Sequence, residues 1–184
     1  ILFIVLTFLA PILGNKVVIF LIFFGIGETF YQSLVYDNRY KFILEGVSNV
    51  IISGLGDLIS GGIHYSIAVT NRENVIEQIM YASELMLGFV KAFVDKGFVV
   101  TFTNICGNHS RISKKDEAIK DERMDNLIGW FVSTHLKAYP NFIYIKPQDT
   151  TLAEVGGFWF VHGDNDNFGK SGLSSLVLAK GFKP

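Results

Sequence analysis

Three β-rich apolar runs in this chain each stop at a glycine set beside a chemically active side chain. Val50–Ile52 runs into Gly54–Leu55–Gly56–Asp57, Phe98–Thr103 into Asn104–Ile105–Cys106–Gly107–Asn108–His109, and Gly157–Val161 into His162–Gly163–Asp164. Helical patterns separate the runs, and the order strand, loop, helix, strand, loop, helix, strand predicts an α/β fold. In open α/β sheets, ligand sites gather in the loops beyond the carboxyl ends of the strands. Clusters far apart in sequence can therefore converge in space, and the adjoining Gly56, Gly107 and Gly163 let backbone approach a bound ion or phosphate closely.

The clearest helix is predicted over Asn71–Lys96, opened by a Thr70/Glu73 capping box and closed by Gly97. Its apolar positions, among them Val75, Ile76, Ile79, Met80, Met86, Phe89, Val90 and Phe93, read as one wide buried face. A second helix is expected from Glu122 to Ala138, with Met124, Leu127, Ile128, Phe131, Val132 and Leu136 inward and Pro140 beyond its end. Phe142–Ile145 reads as a strand, and Ser171 caps a last short helix that stops near Gly181.

The amino-terminal segment is different. Ile1–Ile26 carries a single charge, Lys16, so hydropathy alone would admit a membrane span or a signal segment. Pro11, Gly14, Asn15 and Lys16 interrupt it, and two buried strands, Ile1–Leu9 and Val17–Phe24, around a turn are the preferred reading. The stretch from Gly27 to Val47 has a mixed helical pattern.

With 184 residues, 49% apolar and 18% charged, the chain suits one domain spanning 1–184. A net charge of −1 and no Lys/Arg block exclude a global electrostatic field for nucleic acid, leaving only local positive patches. Cys106 is the single cysteine, which excludes an intrachain disulfide framework and a multi-cysteine zinc site.

A carboxylate, an amide oxygen and an imidazole form a donor set suited to manganese, iron or zinc. Two such cations can stabilise the attacking and leaving oxygens of a phosphoester, and a further imidazole can protonate the leaving group. Plainer roles compete at every position. Asp57 could cap a turn, Asn108 could form an Asx-turn, and His162 could be a satisfied core histidine. His135 reads as packing on a helix face, and Cys106 as a small buried residue.

In their order, Gly56–Asp57, Gly107–Asn108–His109 and Val161–His162–Gly163–Asp164 resemble the motifs of the calcineurin-like metallophosphoesterases. The longer strings from Gly56 to His64 and from Gly107 to Arg111 are similar to phage-encoded members described as DNA-repair-exonuclease-like. The resemblance covers roughly Ile51–Asn167. It implies a four-layer sandwich of two mixed β-sheets flanked by helices, incomplete here at both ends, since 1–47 match the family poorly and its closing Gly-His-x-His motif is absent. It further implies Asp57, Asn108 and His162 as metal ligands, His109 as the catalytic residue, His64 and Arg111 as substrate contacts, and Asp164 as a support for the ligands. The implied cofactor is one or two divalent ions, manganese first, with iron, zinc or magnesium as substitutes. The implied activity is phosphodiester hydrolysis, with DNA the favoured substrate, in the cytoplasm of a bacterial or phage-infected cell, no membrane partner, and oligomeric state left open.

One departure stands out. The family opens with Asp-x-His after its first strand, and at the matching place this chain reads Ala10–Pro11–Ile12, which cannot ligate. Two further readings follow: a catalytically impaired phosphoesterase-like binding or scaffold protein, and a phosphoesterase-like domain anchored by Ile1–Ile26.

Overall fold

The computed structural model describes residues 3–9, 16–22 and 46–163. Strands β1 (Phe3–Leu9), β2 (Lys16–Ile22), β3 (Val47–Leu55), β4 (Val99–Ile105) and β5 (Phe142–Tyr144) form one sheet in sequence order. β1 is antiparallel to β2, and β2 to β5 run parallel. β6 (Leu152–Val155) and β7 (Phe158–Val161) make a separate antiparallel hairpin. Three helices complete the described residues: α1 (Tyr65–Ala68), α2 (Val75–Asp95) and α3 (Asp125–Leu136). The architecture is a mixed α/β one, as the alternation of patterns predicts.

Why Val50, Ile51 and Ile52 of β3 form an unbroken apolar run follows from their surroundings. Val50, Ile52, Val100 and Phe102 join one core with Phe89, Val90, Phe93, Ile128 and Val132 of α2 and α3. On the opposite face, Ile51, Leu55 and Ile105 pack with Ala153, Val155 and Phe160 of the hairpin. A strand covered on both sides reads as a continuous hydrophobic run. Helices, central sheet and hairpin thus stack as three layers among the described residues, and the hairpin turns on Gly156–Gly157, both at positive φ (60° and 83°). That two-residue turn matches the twist of its strands.

Local details differ from the sequence expectation in instructive ways. The cap of α2 is Asn74, not Thr70. Asn74 Oδ1 accepts from Ile76 N and Glu77 N, and Glu77 Oε2 accepts from Asn74 N. Thr70 is occupied elsewhere, donating its hydroxyl to Ser66 O and Ile67 O at the end of α1. At the far end Gly97, at φ 85°, donates to Val94 O, while Phe98 N donates to Phe93 O and the two phenyl rings meet at 5.9 Å. This is the Schellman arrangement with its hydrophobic contact.

Ile76 and Met80, expected in the buried face, are 64% and 60% exposed, because both lie off the stripe of Ile79, Ser83, Met86, Phe89, Val90, Phe93 and Val94 that α2 buries. Leu127 of α3 is likewise outward, and the inward stripe is Asp125, Ile128, Gly129, Val132 and Leu136. His135 is a packing residue, its ring 4.1 Å from that of Phe131, and Cys106 is fully buried.

The hydrophobic amino-terminal runs form β1 and β2 rather than a helix, and no helix among the described residues is long and apolar enough to cross a membrane. The stretch between β2 and β3, Asp164 and the short helix expected at Ser171 lie outside the described residues.

Asn74→Ala removes the capping box of α2 and is expected to cost about 1 kcal/mol, whereas Thr70→Ala stays within about 0.5 kcal/mol of the parent. Urea unfolding of both variants checks this assignment; equal losses would contradict it.

Candidate metal and phosphate site

β3 and β4 are parallel neighbours whose register runs to Leu55↔Ile105, so the loops that leave them start side by side. Gly56 and Asp57 both turn into the left-handed region, at φ 80° and 51°. For a non-glycine residue that conformation costs about 1–2 kcal/mol, and aspartate is one of the few that accept it. The turn presses the Asp57 peptide against Gly107. A Cβ on Gly107 would collide with the Asp57 carboxylate and the Asp57 backbone nitrogen, so only glycine allows the approach. Across this contact His109 N donates to Asp57 Oδ1 at 2.9 Å.

His162 arrives from the hairpin layer. Thr150 O accepts from Cys106 N (2.7 Å) and Thr151 O from His162 N (3.2 Å), which ties the end of β7 to the end of β4. The imidazole then faces Leu55 O with Nδ1 at 2.7 Å. A carbonyl oxygen can only accept, so Nδ1 carries the proton and Nε2 of the neutral ring presents a lone pair. Nε2 lies 3.2 Å from Asn108 Oδ1 and 3.5 Å from Asp57 Oδ2. Asp57, Asn108 and His162 therefore converge, as their positions after strands β3, β4 and β7 suggest. Their side chains remain reachable from solvent: that of Asp57 is 28% exposed and that of His162 13%.

His109 lies beside this point. Its Nδ1 is 3.0 Å from Ser60 O, so the same tautomer argument leaves Nε2 as the atom able to take or give a proton. The ring of His64, at the start of α1, stands edge-on to it with centroids 6.1 Å apart. Arg111 is buried at 5% exposure, and its backbone bridges that of Arg123.

Two residues were not singled out from the sequence. Asp125, the first residue of α3, is fully buried and its Oδ2 accepts from Gly107 N at 2.8 Å. Arg123 Nη1 donates to Gly107 O at 2.8 Å. Burial pushes the Asp125 carboxyl up to about 6, the Gly107 N–H opposes that shift, and the Asp57 charge adds to it. The available signal was an aspartate opening a helix just before the apolar positions Ile128 and Val132, on the face that turns inward.

The topology also sets which strand leads toward this point. Leu9 of β1 pairs with Lys16, which pairs with Val47, so β1 ends at the opposite end of the sheet from Asp57. The strand that delivers chain toward the site is β2, whose Ile22 pairs with Gly54. Ala10–Pro11–Ile12 lies outside the described residues, and the strand preceding it points away from the convergence. Among the described residues no three His, Cys, Asp or Glu side chains stand together as a ligand set. The convergent point instead combines one carboxylate, one imidazole and one amide.

Gly107→Ala is expected to cost about 3 kcal/mol or more, since backbone must move. Gly97→Ala, where a Cβ meets nothing within 4 Å, pays only the left-handed conformation, about 1 kcal/mol. Denaturant midpoints compare the two. For Asp125 the folded carboxyl lies above the unfolded value of 3.8, so the native state binds the proton more tightly and stability falls as pH rises from 3.8 to about 6. The drop is on the order of 2–3 kcal/mol, and Asp125→Asn should remove it from a pH series of unfolding curves. No family model, no curated protein and no solved structure matches this chain.

Proposed function

We propose that this protein is a metal-dependent phosphoester hydrolase of the calcineurin-like kind, with phosphodiesters, and DNA among them, as its substrates. One observation carries the reading. His162, with Nδ1 turned to Leu55 O, holds Nε2 at 3.2 Å from Asn108 Oδ1 and 3.5 Å from Asp57 Oδ2. An imidazole nitrogen, an amide oxygen and a carboxylate oxygen this close together form a donor set that a divalent cation could share. The mixture of imidazole nitrogen with hard oxygens suits manganese, iron or zinc, with magnesium less well matched to the nitrogen. Asp125 nearby adds further negative charge when ionised.

A divalent cation held by Asp57, Asn108 and His162 supplies polarisation of a phosphoryl oxygen and an acidified water. The residues of the chain do the rest. Leu55 O holds the His162 ring in one orientation, and His109 N–H does the same for the Asp57 carboxylate. In this reading His109 Nε2 first takes a proton from solvent and then gives it to the departing oxygen, and His64 beside it contacts a substrate phosphate. Arg111, buried at the site's edge, is out of reach of a substrate in solvent. The four-layer sandwich belongs to the same proposal, with the β6–β7 hairpin as part of its second sheet.

A second reading has its own support. With two ionisable ligands and an amide instead of a fuller set, cation binding would be weak, which favours a phosphoesterase-like binding or scaffold protein. Calorimetry with manganese, followed by hydrolysis of a bis-aryl phosphate, separates the two. The hydrolase reading expects manganese binding that His162→Ala weakens by about tenfold or more. It expects turnover that Asp57→Ala lowers by about a hundredfold or more. Binding without turnover moves the assignment to the scaffold, and no binding removes the cation site.

A further inference from the structure

The segment that opens α3 spends its polar groups on the β4 loop rather than on its own helix. Asp125 sits in the first turn, where a carboxylate ordinarily lies near its helix's exposed N–H groups. Here no side chain caps the helix, and Asp125 points inward, fully buried, to take the Gly107 N–H at 2.8 Å. Arg123 Nη1 holds the Gly107 carbonyl at 2.8 Å, and Ser110 Oγ donates to the same oxygen at 3.0 Å. Met124 N donates to Ser110 O at 2.8 Å, and Cys106 Sγ lies 3.1 Å from Asn126 Oδ1. Asn104 Nδ2 completes the set by donating to Asp125 O at 2.9 Å. The peptide units on both sides of Gly107 are thus held, one through its N–H and the other through its carbonyl. Asn108 follows directly.

We propose that Asp125 is a positioning residue for the cation site. By accepting the Gly107 N–H it fixes the Cys106–Gly107 peptide, while Arg123 and Ser110 hold the Gly107 carbonyl of the next one, and the two together set Asn108 Oδ1 against His162 Nε2. The inference rests on the cation reading above and adds to it a residue that touches neither cation nor substrate. Asp125 acts through a backbone bond, so its side chain needs an acceptor oxygen at that position and not a charge. Its effect reaches Asp57 as well, because the peptide two residues on, His109 N–H, is the group that holds Asp57 Oδ1.

Two substitutions separate this role from general support of the fold. Asp125→Asn keeps an acceptor oxygen in the same place, whereas Asp125→Ala deletes it. In the full chain, NMR amide exchange at Gly107 and His109, with no metal added, is expected to rise about tenfold or more in Asp125→Ala relative to the mean change over β3 and β4. Asp125→Asn should stay within about threefold of the parent. Manganese affinity by calorimetry is expected to fall about tenfold in Asp125→Ala and to be restored in Asp125→Asn. Exchange and affinity unchanged in Asp125→Ala would overturn the proposal. So would an Asp125→Asn as impaired as Asp125→Ala, since the effect would then belong to the charge. If the parent binds no manganese, the cation reading fails, and the positioning of Asn108 for a cation fails with it. Loop exchange in that case still reports whether Asp125 holds the Gly107 peptide.

Discussion

The close approach of two backbones, Asp57 after β3 and Gly107 after β4, is the contact on which the rest of the site depends. Adjacent parallel strands bring the loops to the same edge, but only the missing side chains of Gly56 and Gly107 let the peptides touch. Once they do, His109 N–H reaches the Asp57 carboxylate, and Asp57 is held in a left-handed conformation that it would otherwise leave. A conformation costing about 1–2 kcal/mol persists where its surroundings over-determine it. The strain and the chemistry therefore share one residue.

The same loop gathers charge that the fold would be more stable without. Asp125 is fully buried, Asp57 is nearby, and burial raises the Asp125 carboxyl toward neutrality. A protein selected for stability alone would fill such a place with an uncharged acceptor. Beside it, Asp57 Oδ2 and Asn108 Oδ1 both face Nε2 of His162, at 3.5 and 3.2 Å.

Much of this was legible before any coordinates. The apolar runs before Asp57, Asn108 and His162 are strands, and the glycines beside those residues mark the turns. Other features escaped. Thr70 and Asn74 both stand three residues before a glutamate, and the pattern cannot tell them apart; the hydroxyl of Thr70 is taken by the end of α1. The hairpin strand β6 was missed because Ala153 and Glu154 are poor strand formers, although Gly156–Gly157 marked its turn. Leu127 has the right period for the α3 core but lies one position off the stripe that faces the sheet. Asp125 escaped because a charged residue is ordinarily assigned to the surface.

By itself the amino-acid order determined the alternating elements and the address of each reactive side chain at a strand's end. Those are local matters of periodicity, turn residues and stop signals, written within a few positions of one another. Tertiary structure alone decided that β1 runs antiparallel, so that β2 and not β1 leads toward Asp57. It also decided that Asp125 faces inward, and that Leu55 O takes the proton side of His162 and leaves Nε2 for Asn108 and Asp57. Each of these is a hydrogen bond or a pairing between residues distant in the chain, and no local pattern encodes such partners.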